Sequence, residues 1–164
     1  MHLLSSMQMI AHGSDSILYF QWRKSRGSSE KFHGAVVDHD NSAENRVFKD
    51  VEEVGKALAK LGDVVGANRQ SEVAILFDWD NHWALRDAQG FAKETKRYPQ
   101  TLQEHYRAFW EKDIPVDVIT KEQEFSSYKL LLIPMLYLLS EETIARLKEF
   151  VTNGGHLVRR ILVD

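Results

Sequence analysis

Cysteine is absent from all 164 residues, which excludes disulfides, thiolate metal sites and a cysteine nucleophile. The same lack makes the cytoplasm the expected compartment. No charge of one sign dominates: the formal net charge is −3 and the basic residues are scattered, so nothing recommends a nucleic-acid partner. Long hydrophobic runs are missing too. No segment approaches the roughly 20 apolar residues that a bilayer span requires, so no membrane partner is expected. Met1–Ile10 lacks the basic start and long apolar stretch of a secretion signal. Neither an internal repeat nor a low-complexity tract is present. What remains, 43% hydrophobic and 27% charged residues, suits one ordinary domain or a small domain with an appendage.

The spacing of Leu3, Leu4, Met7 and Ile10 predicts the tail of a helix over 1–12, stopped at Gly13 where a left-handed residue is common. Residues 17–20, Ile-Leu-Tyr-Phe, have the composition of a strand covered on both faces. Gln21, Trp22 and Arg23 follow at its end, and a loop carrying Glu30 and His33 runs to about residue 43. Val47, Val51, Val54, Leu58 and Leu61 fall on one face of a helix over 44–61. From Gly62 to Ser71 the chain reads as a linker.

Beyond it, Val73–Phe77 is a continuous apolar strand ending in Asp78, Trp79 and Asp80. A long connection, 81–97, leads to an amphipathic helix near 99–112. Pro99 sits in its first turn, and Leu102, Tyr106, Phe109 and Trp110 form its apolar stripe. Pro115–Ile119 and Lys129–Ile133 read as two buried strands. Ser140 is an N-cap, with Glu141 and Glu142 placed favourably against the helix dipole. Ile144, Leu147, Phe150 and Val151 face inward, Gly154-Gly155 stops that helix, and a last strand fits Leu157–Val163. The alternation predicts an α/β fold, an open parallel sheet flanked by helices.

In parallel α/β folds the loops after the strands carry the binding chemistry. Trp22 beside Gln21, Glu30 and His33 offers an aromatic platform for a sugar's C–H face, with polar groups for its hydroxyls. A carboxylate accepts from two adjacent hydroxyls, and a neutral imidazole donates or accepts. On spacing alone Glu30 and His33 read as incidental charges of a solvated loop. Trp22 either floors a sugar site or plugs a barrel mouth, and Arg23 is expected to brace the loop by pairing with a carboxylate. Asp78, Asp80 and His82 alternate like metal ligands, yet oxygen-rich cation sites gather more carboxylates, so no metal is expected. Asp38-His39-Asp40 reads as a polar loop. Trp79, Trp83 and Phe91 suit either a local mini-core or a subunit contact, since aromatics are enriched at interfaces.

Residues 17–34, Ile-Leu-Tyr-Phe-Gln-Trp-Arg-Lys-Ser-Arg-Gly-Ser-Ser-Glu-Lys-Phe-His-Gly, resemble the last barrel strand and its loop in the family 42 glycoside hydrolases, bacterial β-galactosidases. Met9–Asp15, Ile75–Trp83, Ile114–Val118 and Pro134–Gly155 resemble further segments of that family in the same order. The resemblance covers nearly the whole chain. It implies that 1–62 are the carboxyl-terminal portion of a (β/α)8 barrel, 63–71 a linker and 72–164 an incomplete flavodoxin-like trimerisation domain. It further implies a homotrimer, a β-galactoside substrate, no cofactor, and galactose contacts from Glu30 and His33, with Trp22 beside them.

Retaining glycosidases need two carboxyl groups about 5–5.5 Å apart. In the resembled family both are glutamates on barrel strands that precede this stretch, so the chain is expected to be a fragment without catalytic residues and inactive alone. Some members carry a cysteine-bound zinc that this chain cannot hold. After Val158 the sequence departs from the family, with Arg159 and Arg160 where small or aromatic residues are usual. Two alternatives differ in class. A free-standing amidotransferase-like or flavin enzyme is opposed by the missing cysteine and by Asp78 and Asp80, which would repel a phosphate. A non-catalytic assembly or sugar-binding module remains open. If the barrel neighbours of 17–20 and 44–61 are missing, their bare apolar faces predict self-association or poor order in 1–62.

Overall fold

Four short parallel strands form the sheet of the computed structural model, which describes residues 1–67, 69–89 and 96–160. The chain divides into two compact units, Met1–Asn68 and Arg69–Asp164.

The first unit holds two helices. α1, His2–Ala11, ends as its spacing predicts, with Gly13 in the left-handed region at φ 93°. α2, Arg46–Leu58, begins at Asn45, whose side chain accepts from the Phe48 N–H at 2.8 Å. The face predicted for α2 is its covered face, although only Val54 is fully buried. Between the helices the buried strand expected over 17–20 is not formed. Leu18 is 91% exposed and Phe20 74%. A strand exists only where neighbours take its N–H and C=O groups, and among the described residues nothing pairs with 17–20. Pairing starts later, as an isolated bridge between Arg23 and Val37, with the Val37 N–H donating to Trp22 O at 2.7 Å.

In the second unit β1 is Val73–Leu76, β2 Val116–Ile119, β3 Leu130–Pro134 and β4 His156–Arg160. Their order is β2-β1-β3-β4, all parallel, with Val73 opposite both Val116 and Leu130, and Leu130 opposite His156. Side chains of β1 alternate between two apolar clusters, one on each face. Ala74 and Leu76 join Leu131, Ile133, Leu147 and Phe150; Val73 and Ile75 join Leu85, Tyr98, Leu102 and Leu132. α5, Glu141–Thr152, is capped by Ser140, which accepts from the Thr143 N–H at 3.1 Å. The Phe150 ring occupies the space that a Cβ at Gly155 would take.

Several details differ from expectation. Most of α3, Trp79–Asp87, lies within the connection expected over 81–97, and the helix starts just past the end of β1, with Asp78 as its N-cap. Only Asn81 and Leu85 of that helix are buried, so its apolar period is faint. The buried side of α4, Tyr98–Trp110, includes Tyr98 and leaves Trp110 in water. β2 is an edge strand with Val118 exposed, not a buried strand. Thr143 turns inward on α5 whereas Val151 does not. The end of the predicted last strand, 161–163, lies outside the described residues, as does Phe91. Among the described residues no helix is long and apolar enough to cross a membrane.

Candidate functional site

Glu30 and His33 lie on a 3-10 turn, Ser29–Phe32, and the residue that follows it. Side chains three residues apart eclipse in that geometry. The Glu-x-x-His spacing therefore brings the two groups together: His33 Nδ1 lies 3.1 Å from Glu30 Oε2, and the His33 N–H donates to Glu30 O at 3.1 Å. Both side chains remain about half-exposed. The second carboxylate oxygen of Glu30 and His33 Nε2 make no hydrogen bond among the described residues, so each is free to meet a polyol. Phe20 meets the His33 ring edge-on at 6.3 Å. Trp22 is 65% exposed, and its ring leans on Phe48 of α2 at 6.2 Å instead of joining the Glu30–His33 pair.

The brace expected from Arg23 comes from its neighbour. Lys24 pairs with Asp38 at 3.4 Å, and Arg23 makes no ion pair among the described residues. A hydrogen bond from the His39 N–H at 2.7 Å, aided by Lys24, holds the Asp38 carboxyl below the usual carboxylate range. Asp40 accepts from the Ser42 N–H at 3.0 Å, so Asp38 and Asp40 spend their oxygens on the loop backbone.

At the carboxyl edge of the sheet, Asp78 caps α3 by accepting from the Asn81 N–H at 2.6 Å. Its other oxygen lies 2.6 Å from Lys121 Nζ, which also reaches Asp80 at 3.2 Å. The hydrogen bond to Asp78 raises the Lys121 pKa. His82 packs among rings, edge-on to Trp79 at 5.8 Å and stacked near Tyr98 at 6.2 Å. The Asp78, Asp80 and His82 set is thus an ion pair and an aromatic contact, and no group of three or more metal-binding side chains occurs among the described residues.

Sequence reasoning missed Asn81, which is fully buried. Its Nδ2 donates to Met135 O at 3.0 Å, and its Oδ1 accepts from the N–H groups of Tyr137 at 2.7 Å and Leu138 at 3.2 Å. Met135 follows β3 with φ 53°, a left-handed value for a residue with a side chain. β1 has β2 on one side and β3 on the other, so the crevice between the carboxyl ends of β1 and β3 is the switch point where open α/β sheets take ligands. Here Asn81 bonds across it. The one signal for Asn81 is its place three residues after a capping Asp.

These features define the class: an α/β protein whose all-parallel sheet is flanked by helices. Residues 71–162 match the family model described as the beta-galactosidase trimerisation domain, and residues 1–61 match that described as beta-galactosidase. The chain belongs to the family 42 β-galactosidases, of which it covers the end of the catalytic domain and the trimerisation domain. It is 77% identical over 158 residues to the β-galactosidase GalA of Bacillus licheniformis, and 73% identical over 158 residues to GanA of Bacillus subtilis. Each match covers 96% of this chain and 24% of the relative, so the chain spans about a quarter of the length of these curated relatives. Among solved structures, a catalytic mutant of Gan42B, a β-galactosidase from G. stearothermophilus, superposes with a TM-score of 0.90 at 78% identity over 97% of this chain and 23% of that one. The β-galactosidase of Rahnella sp. R3 does so at 0.87 and 48% identity, over 97% and 23%.

Proposed function

We propose that this chain serves as part of a retaining β-galactosidase that hydrolyses terminal β-D-galactosides. Residues 1–62 close the catalytic barrel, 63–71 link, and 72–164 belong to the domain that joins subunits into a homotrimer. Glu30 and His33 hydrogen-bond galactose hydroxyls, and Trp22 lies against the sugar. The observation that carries this reading is the exposed Glu30–His33 pair, 3.1 Å apart on a 3-10 turn within the segment that matches the family's catalytic model. The chain by itself supplies sugar contacts without the catalytic carboxyl pair.

In a complete enzyme containing this sequence, Glu30→Ala lowers kcat/KM for an aryl β-galactoside roughly 10- to 100-fold, the worth of a hydrogen bond to a charged group. An unchanged kcat/KM overturns the sugar contact. Turnover of the same substrate by the 164-residue chain, abolished by Glu30→Ala, would overturn its inactivity. A second reading is a non-catalytic assembly or sugar-binding module that retains galactose through Glu30 and His33. Galactose binding by the chain without turnover would favour it.

A further inference from the structure

Trp79 and Trp83 lie one turn apart on α3, are 57% and 55% exposed, and have ring centroids 5.9 Å apart. Inward, Trp79 meets Phe77 edge-on at 4.9 Å, and Phe77 stacks on the buried Tyr98 at 5.6 Å. The rings are therefore anchored on the core side and bare on the other. The loop after β3 adds Tyr137, 59% exposed, and Leu138, 41% exposed. Asn81 ties that loop to the first turn of α3, because its Oδ1 accepts from both of their N–H groups. Lys121 clamps Asp78 and Asp80 beside it. Two apolar pieces are thus held relative to each other before any partner arrives, which limits the entropy lost on binding.

An aromatic side chain buries about 150–250 Å² when fully covered, so these four residues offer roughly 400 Å². That is about half of the ~800 Å² that each partner buries in a standard interface, and Trp and Tyr are the residues that dominate interface energetics.

We propose that Trp79, Trp83, Tyr137 and Leu138 form a docking face for a second copy of this chain. The proposal rests on the homotrimer reading and on the match of 71–162 to a trimerisation domain, and adds where the copies meet. Contacts in a threefold ring are heterologous, so the second copy answers with a different patch. Asn81 acts as a positioning residue.

The test is the mass of the full chain by sedimentation equilibrium. All samples carry Leu18→Ser and Phe20→Ser, which remove exposed apolar groups of the first unit. The expected background species has three times the 19.0 kDa chain mass. Trp79→Ala with Trp83→Ala raises the trimer Kd at least roughly 100-fold, Tyr137→Ala roughly tenfold, and Val151→Ala, exposed on α5, leaves it unchanged. Unchanged circular dichroism shows that the variants fold; should the double variant unfold, Trp83→Glu is read in its place. A trimer that survives the tryptophan changes, or that Val151→Ala weakens equally, overturns the docking face and leaves the assembly reading standing. A complete enzyme containing this sequence that is monomeric at every concentration overturns both.

Discussion

Residues 17–20 and 73–77, the second holding β1 (Val73–Leu76), are both short apolar runs followed by one polar residue, Gln21 or Asp78, and a tryptophan. Among the described residues the first run has no strand beside it, and Leu18 stands in water. The second is paired on both edges and buried on both faces. Composition makes a segment competent to be a strand; ladder partners and covering helices make it one. The same contrast runs through both units. The buried apolar residues of the first are Val36 and Val54, whereas the second builds two clusters around its sheet.

The largest expected effect comes from making one change in both runs. Leu76→Ala removes a fully buried side chain and costs about 3 kcal/mol in the melt of the second unit. Leu18→Ala, at 91% exposure, stays within about 0.5 kcal/mol. Equal shifts would erase the contrast. A smaller loss follows from Asn81→Ala, which leaves the Tyr137 and Leu138 N–H groups and Met135 O without their partner. About 2 kcal/mol is expected by chemical denaturation, and a loss under about 0.5 kcal/mol would show that water replaces it fully.

The smallest effect separates the units by pH. Tyr128 is raised from 10.0 to about 12 by burial and by donating to Asp117 at 2.9 Å. A folded-state pKa above the unfolded one gives stability that is present below pH 10 and lost as pH rises toward about 12. Lys121 works in the same direction at the alkaline end. In the first unit the shifts are lowered carboxyls, those of Asp38, Glu44 and Asp50, whose contribution is present above their unfolded values and lost as pH falls. Tyr128→Phe should therefore flatten the alkaline limb of the second unit's stability and leave the acid limb alone. A tyrosinate titration with melts at each pH checks it, and an unaltered alkaline limb would reject the assignment.

Much of this was legible in order. Leu3, Leu4, Met7 and Ile10 marked α1, Ser140 with its two glutamates marked the start of α5, and unbroken apolar runs marked β1 and β3. The i, i+3 spacing of Glu30 and His33 made their meeting readable as soon as the turn was known to be 3-10. α3 was hidden because its covered side is one Asn and one Leu, a pattern that no hydrophobic period reveals. Lys121 was hidden because a lysine in a loop carries no sign of the carboxylates it will meet 2.6 Å and 3.2 Å away.

By itself the sequence determined the α/β alternation, the family and most helix ends, because caps, periodicity and apolar runs are local properties of consecutive residues. Only the tertiary structure decided that 17–20 forms no strand, that Asn81 bridges the switch-point crevice, and that Lys121 takes Asp78 and Asp80. Each of those depends on which distant groups lie within hydrogen-bonding reach, and that distance is set by packing.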